Sequence, residues 1–165
     1  MDERGHNMYS AGFNRYFEFA SGVSLQSLES QLPLLEIREP ISQVTRVSSH
    51  EIPRRDRLKI LQVEKASNYH CQIQNTHFSF ISESTGNPYL EGHHIIPLSQ
   101  QDDFSYSLDC FANIIALCPN CHRFLHYGLK SNKREQLIRL YEDRAERFDH
   151  AGILVTRAEF LDRLI

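Results

Sequence analysis

The 165-residue sequence predicts an α+β fold, in which short strands lead into helices that fill the C-terminal part of the chain. The β-branched run I-I-A-L at 114–117 predicts a strand, and Pro119 directly after it is typical of the first turn of a helix. Residues 132–149 repeat apolar side chains at helical spacing. With 41% hydrophobic and 24% charged residues, the composition suits one globular core with an appendage.

Residues 1–52 are predicted to form an N-terminal arm or linker of unassigned role. Its segment F-N-R-Y-F-E-F-A could be a short helix or an arm that docks a second copy or a partner subunit. Residues 32–50 contain two prolines, which favours an extended linker or edge strand. A helix is predicted over 53–68, opened by Pro53, with Leu58, Leu61 and Lys65 at helical spacing.

The apolar runs on both sides of S-T-G-N-P predict a β-hairpin over residues 71–97. After the strand at 114–117, a helix is expected from Pro119 to Gly128, and a second over 132–149 that ends near Gly152. A capping box from Thr156 to Glu159 predicts a last helix. The residues expected to face the core of these last two helices are Leu137, Leu140, Tyr141, Phe148, Phe160, Leu161 and Leu164.

Composition restricts the class of protein. The chain has no run of the roughly 18 apolar residues that a membrane helix needs, and M-D-E-R-G-H-N does not resemble a signal peptide, so a cytoplasmic location is expected. The net charge of -3 is not that of a strongly basic nucleic-acid-binding protein. Basic residues do cluster locally, and each cluster is either a phosphate-binding patch or a solvated helix face. The clusters are Arg54, Arg55, Arg57 and Lys59, and then Arg123, Lys130, Lys133 and Arg134.

Four histidines surround a Cys-x-x-Cys pair, in E-G-H-H-I-I-P and C-P-N-C-H-R-F-L-H. His122 and His126 are four residues apart on the predicted helix, so they share one face and can share one ion. His93, from the preceding strand, could complete a three-imidazole site with open coordination positions. The adjacent His94 points to the opposite side of the strand or into a distorted turn, which makes it a poor ligand of the same ion but places it well to take a proton from an attacking water. This pattern predicts a metal-dependent nuclease centre.

The sequences H-H-I-I-P and N-I-I-A-L-C-P-N-C-H resemble the HNH endonuclease family, whose core is a ββα-metal finger, also called a His-Me finger. The resemblance covers about residues 68–128 and continues more weakly through L-Y-E-D-R, as in stand-alone bacterial HNH proteins of restriction or phage defence. It implies a nuclease domain over 53–165, with the metal finger followed by C-terminal helices over 132–165.

Carried over by position, the resemblance makes His93 and His122 ligands of a catalytic divalent ion and His94 the general base. Asn113 would brace the loop and orient the base, and His126 matches the extra imidazole of colicin-type members. Many relatives have Asp where His93 stands; an all-imidazole set leans toward zinc, nickel, manganese or cobalt, and magnesium stays open. The implied reaction is hydrolysis of a DNA phosphodiester, with one ion offsetting charge at phosphorus and at the leaving 3′ oxygen. Arg123 either clamps the phosphate or faces solvent.

A second, structural zinc site is predicted from Cys118 and Cys121, with Cys71 as a third sulfur. The fourth position of the family's commonest four-cysteine pattern is Gln74 here, so His77 is its expected replacement. Cys110 is expected to be a small buried hydrophobe.

Two other functions remain open from sequence. One is a non-catalytic, zinc-stabilised module that binds nucleic acid or a partner, although a scaffold needs neither His93 nor His94. The other is an RNA-cleaving toxin, because a finger that grips the backbone reads little of the bases. The sequence does not decide between DNA and RNA, and it shows no recognition domain.

Overall fold

The computed structural model describes Leu34 and residues 36–41, 44–47, 50–53 and 56–165. The predicted short helix or docking arm of the first thirty residues lies outside this part. Leu34–Ile165 forms one compact unit, and its mixture of helices and small sheets agrees with the predicted α+β class. Among the described residues, the strands are β1 (Val44–Val47), β2 (His50–Pro53), β3 (Glu91–His94) and β4 (Ile114–Leu117), and the α-helices are α1 (Arg57–Ala66), α2 (Pro119–Tyr127), α3 (Lys130–His150) and α4 (Arg157–Leu164). A short 3-10 helix, Leu98–Asp103, lies between β3 and β4.

The strands form two antiparallel pairs. β1 pairs with β2, so the segment predicted to be extended does contain a strand. β3 pairs with β4 across the long loop 95–113, and His93 lies opposite Ile115 while His94 lies opposite Ile114. All four residues of β4 are buried, so this strand lies inside the core.

Helix α1 is shorter than the predicted helix over 53–68. Pro53 ends β2, and the helix begins at Arg57 after Asp56, whose side chain accepts a hydrogen bond from the Leu58 amide at 2.9 Å. This is an ordinary N-cap, so the strand pairing rather than the proline decides where the helix begins. Gln62 and Val63 are the buried residues of the helix, and Leu58, Leu61 and Lys65, which were predicted at helical spacing, are half-buried.

The predicted hairpin around S-T-G-N-P is much smaller than expected. Only one antiparallel bridge, between Ile81 and Pro88, flanks the turn, and β3 pairs with β4 instead. Phe78, Phe80 and Ile81 are 95%, 64% and 61% exposed. Because these side chains are not packed against the core, packing does not stabilise a longer pair of strands here.

The C-terminal helices follow the sequence closely. α2 begins at Pro119 and is followed by Gly128, while α3 begins two residues earlier than predicted, at Lys130. Gly152 lies just beyond α3 with φ +75°, a conformation that favours glycine. The capping box of α4 is formed. Leu137, Leu140, Phe148, Phe160 and Leu161 are buried, and Tyr141 and Leu164 are half-buried.

In the part of the chain that is described, no helix has both the length and the apolar character needed to cross a membrane.

Gly92, in the middle of β3, allows α1 to lie close against the sheet. A Cβ atom at this position would come within 2.5 Å of Ile60 Cγ2 and 3.2 Å of Ile60 Cβ. Ile60 is β-branched and has few rotamers to escape into. The glycine therefore sets how closely α1 approaches the strand that carries both adjacent histidines.

We predict that Gly92→Ala destabilises the fold by about 1–3 kcal/mol, the usual cost of overpacking, measured as a lower midpoint of denaturant unfolding. The double variant Gly92→Ala with Ile60→Ala should cost less than the sum of the two single changes, because truncating Ile60 removes the clash. Strictly additive costs would contradict the close-approach explanation.

Candidate metal centres and general base

Strand β3 divides the candidate site into two faces, because successive side chains of a strand point to opposite sides. Glu91 and His93 lie on the face toward α2, where the His93 ring meets those of His122 and His126. Gly92 and His94 lie on the other face, toward α1 and the loop 95–113.

The three predicted ligands of the catalytic ion come together. His93, His122 and His126 each offer a ring nitrogen, and these nitrogens lie within 4.8 Å of one another. The Nε2 atoms of His122 and His126 are 3.1 Å apart. Two nitrogens bound to one tetrahedral zinc lie roughly 3.3 Å apart, so the spacing suits a shared ion. His126 is exposed and the other two rings are half-buried, which leaves one side of the cluster open to solvent.

Glu91 is a carboxylate partner of this cluster that the sequence reasoning missed. Its Oε2 accepts a hydrogen bond from His122 Nδ1. A carboxylate can only accept, so Nδ1 of His122 is the donor, and in a neutral ring the lone pair is on Nε2, which lies 3.1 Å from His126 Nε2. A carboxylate behind a histidine in this way is typical of metal sites, where it fixes the ring and raises the basicity of the ligand. The sequence did contain a signal for this contact: Glu91 lies two residues before His93 on a predicted strand, so both side chains point to the same face.

His94 is nearly buried and is not part of the three-histidine cluster, as predicted from the alternation of the strand. Its Nε2 lies 2.7 Å from Oδ1 of Asp109, which is also buried. Asp109 was not predicted, because an acidic residue inside a loop carries no periodicity that would indicate its partner. The structure thus pairs the candidate base with a carboxylate.

Asn113 braces the loop between the two strands. Its amide is fully buried, accepts a hydrogen bond from the Ile96 amide at 2.8 Å, and donates to the carbonyls of Ile96 and Leu108 at 2.9 Å each. Its own backbone carbonyl accepts from the Ile95 amide. Asn113 is therefore placed to hold the backbone that follows His94 rather than to contact an ion.

Arg144 of α3 also holds the loop 95–113 in place, and its role was not predicted from the sequence. Its Nη1 donates to the carbonyls of Phe111, Ala112 and Ile114 at 3.0–3.2 Å. Burial lowers the pKa of this guanidinium to about 10, which still leaves it charged at neutral pH. The three carbonyls thus compensate the buried charge of Arg144, and Arg144 in turn fixes the backbone where β4 begins.

The predicted zinc ligands also come together. Cys71, His77, Cys118 and Cys121 place their sulfur and nitrogen atoms within 4.8 Å of one another, and His77 Nδ1 is 3.1 Å from Cys121 Sγ. Burial raises the pKa of the Cys121 thiol, and the charge of Cys71 raises it further, so a bound cation would favour the thiolate form of Cys121. Three sulfurs and one imidazole are a donor set that suits zinc. Cys110 is buried and lies outside the cluster.

The predicted basic patches are reduced by internal pairing. The ammonium of Lys59 contacts the carboxylate of Glu39 and the carbonyl of Asp109. Lys133 is buried and donates to the Leu125 carbonyl at 3.1 Å, near the C-terminus of α2. These two lysines make contacts inside the fold, so neither a phosphate-binding patch nor a solvated helix face describes them. Arg57, Arg123, Lys130 and Arg134 are exposed, and Arg54 and Arg55 lie outside the described residues.

Residues 74–128 match the sequence profile of the HNH endonuclease family, which confirms the resemblance drawn from the histidine and cysteine motifs. The match includes both adjacent histidines, Asn113, and the two histidines of α2.

Among characterised proteins, the chain is similar to the type IV methyl-directed restriction enzyme EcoKMcrA of Escherichia coli strain K12. The two are 54% identical over 56 residues, a stretch that is 34% of this chain and 18% of the restriction enzyme. The chain thus matches less than a fifth of that relative's length.

We predict that the protein holds one zinc through the cysteine cluster and that Cys71→Ser loses both this zinc and much of the thermal stability, because structural zinc contributes folding free energy directly. Mild chelation should strip an ion from the exposed histidine cluster but leave the zinc. Metal analysis and thermal melting measure both.

The matched control for that prediction is Cys110→Ala, which changes the cysteine outside the cluster and should keep one zinc per chain. Purified protein without zinc, or Cys71→Ser with an unchanged melting temperature, would refute the structural-zinc assignment.

We predict that Glu91→Gln weakens divalent-ion binding at the histidine cluster by about 10- to 100-fold, the usual effect of losing a carboxylate behind a metal-bound histidine. Calorimetric titration of the chelated protein with zinc or nickel measures this. Glu135→Gln is the control, because that exposed carboxylate pairs with exposed Arg139 on α3. Equal affinities in wild type and Glu91→Gln would remove Glu91 from the site.

Proposed function

We propose that this protein is a metal-dependent endonuclease that hydrolyses phosphodiester bonds in DNA, and that it acts in the restriction of foreign DNA. One observation carries the proposal. Three histidine nitrogens converge at an exposed surface, and the next residue of the same strand is a histidine paired with a buried carboxylate. The match of residues 74–128 to HNH endonucleases and the restriction function of the relative support the same conclusion.

In this proposal β3, β4 and α2 form the ββα-metal finger, and residues 53–165 form the nuclease domain. Cys71, His77, Cys118 and Cys121 hold a structural zinc. His93, His122 and His126 hold a catalytic divalent ion, whose positive charge offsets the negative charge that develops on the phosphate and on the leaving 3′ oxygen. The identity of that ion, among magnesium, manganese, nickel, cobalt and zinc, is decided by experiment.

The protein's own groups divide the remaining work. His94 takes the proton of the attacking water, and the resulting hydroxide attacks phosphorus in line with the leaving oxygen. Asn113 holds the backbone next to His94, and Arg123, exposed one residue after His122, clamps the phosphate. These contacts read the backbone and not the bases, so sequence or methylation preference would come from residues 1–52 or from a second chain.

A non-catalytic zinc module is less well supported, because the zinc cluster alone would stabilise α2 and such a module has no use for a second, exposed cluster of histidines. No observation on the described residues favours RNA over DNA.

The direct test incubates supercoiled plasmid, methylated and unmethylated, with the purified protein under magnesium, manganese, cobalt, nickel or zinc, beside single-stranded RNA. We expect nicked or linear DNA with at least one ion. Intact DNA with every ion would refute the proposed function, and cleavage of RNA alone would replace it with the RNA-cleaving alternative.

We predict that His94→Ala keeps its fold and its metal but cleaves at least about 100-fold more slowly, since general-base catalysis contributes at least that much. The rate of plasmid nicking measures the effect, and circular dichroism with metal analysis checks the fold. His94→Gln, which keeps a donor for Asp109, separates the lost base from a lost contact. His150→Ala is the matched control, because His150 is an exposed histidine at the end of α3. Wild-type rates in His94→Ala would remove His94 from the mechanism.

A further inference from the structure

The side chain of Asp109 is buried, and both of its carboxylate oxygens take part in hydrogen bonds. Oδ1 lies 2.7 Å from His94 Nε2, and Oδ2 accepts a hydrogen bond from the backbone amide of Asp56 at 2.8 Å. A buried carboxylate that is hydrogen-bonded at both oxygens has a fixed position and a fixed orientation.

The state of Asp109 determines which nitrogen of His94 carries the hydrogen. Burial alone raises the pKa of the Asp109 carboxyl, but hydrogen bonds from His94 and Asp56 and the nearby charge of Lys59 outweigh burial and leave the pKa below its usual value. The ionised carboxylate can only accept, so Nε2 of His94 is the donor. In the neutral ring the free lone pair is then on Nδ1, the nitrogen that can accept a proton.

Asp109 is itself held by elements that precede the HNH-matched segment. Asp56 is the N-cap of α1, and Lys59, in the first turn of that helix, donates to the Asp109 carbonyl and pairs with Glu39. The carbonyl of Glu39 accepts from the Ser107 amide, and the Ser107 hydroxyl accepts from the Asp109 amide at 3.1 Å. Helix α1 and the segment 36–41 therefore fix the loop that presents Asp109.

We propose that Asp109 is a positioning residue for the nuclease reaction: it holds the His94 ring in place and keeps its Nε2 protonated, so that Nδ1 is the proton acceptor. This inference rests on the proposed function, because it assigns His94 a partner in the same reaction. It also gives α1 and the segment 36–41 a part in the reaction, since they hold Asp109.

The test compares Asp109→Asn, Asp109→Glu and the control Asp103→Asn. Asn is almost the same size as Asp, but its amide can donate to Nε2 and so favour the opposite tautomer. Glu keeps the carboxylate. Asp103 is an exposed acid on the same loop that pairs with Arg163, so its change removes one negative charge without touching His94. Cleavage is measured at saturating metal over a range of plasmid concentrations, and the tautomer of His94 is read by nitrogen-15 NMR of the imidazole.

We expect Asp109→Asn to lower kcat by at least about 10-fold, as when the carboxylate behind a functional histidine is lost, with KM and metal affinity unchanged. Asp109→Glu should recover part of the rate, and Asp103→Asn should match wild type. The NMR signal should show hydrogen on Nε2 in wild type and a shift toward Nδ1 in Asp109→Asn. A merely structural role would lower stability in Asp109→Asn and leave the tautomer and the kcat of the folded fraction unchanged.

Two results overturn the inference while leaving the proposed function intact: an active wild type with an unchanged kcat in Asp109→Asn, or wild-type His94 with its hydrogen on Nδ1. The second needs no variant, so it holds even if Asp109→Asn fails to fold. A wild type that cleaves no DNA under any ion refutes the proposed function itself, and the catalytic role of Asp109 with it. The kinetic arms therefore distinguish the two failures.

Discussion

The buried amide of Asn113 is the constraint on which the candidate site depends. Its three side-chain hydrogen bonds join the residues after β3, the middle of the loop 95–113 and the start of β4. Because the amide has no access to solvent, each lost bond would leave a polar group unsatisfied in the core, at a cost of about 1–3 kcal/mol. The loop is thereby folded back on itself, and Asp109 is brought to His94 although 15 positions separate them.

The alternation of β3 then separates two kinds of chemistry within four residues. One face carries His93 and Glu91 toward α2, where imidazoles gather around a common point. The other face carries His94 toward a buried carboxylate and leaves Gly92 bare, so that α1 can lie against the strand. A functional site on a hydrogen-bonded strand is held more rigidly than one on a loop, which suits chemistry that depends on fractions of an ångström.

The two ligand clusters share helix α2, and this links stability to the functional site. Cys118 is the N-cap of the helix, Cys121 lies in its first turn, and His122 follows directly. A zinc held by the cysteines would fix the rotation of α2 about its axis and, with it, the direction in which His122 and His126 point. A metal that only stabilises the fold would thus position the ligands of a second metal.

The sequence by itself determined the local features: the strand at 114–117, the helix behind Pro119, the capping box at Thr156, and the grouping of His93, His122 and His126. Each depends on spacing within a single element or on a motif read directly from the chain. It also led to the four candidate zinc ligands, through the cysteine spacing and the resemblance. It did not reveal the start of α1, the small size of the hairpin, or the internal contacts of Lys59 and of Lys133. It also did not reveal that Glu91 and Asp109 are the carboxylate partners of His122 and His94. These were decided only by the tertiary structure, because which side chains face each other across a long loop, and which apolar runs find a core, depends on how separate elements pack.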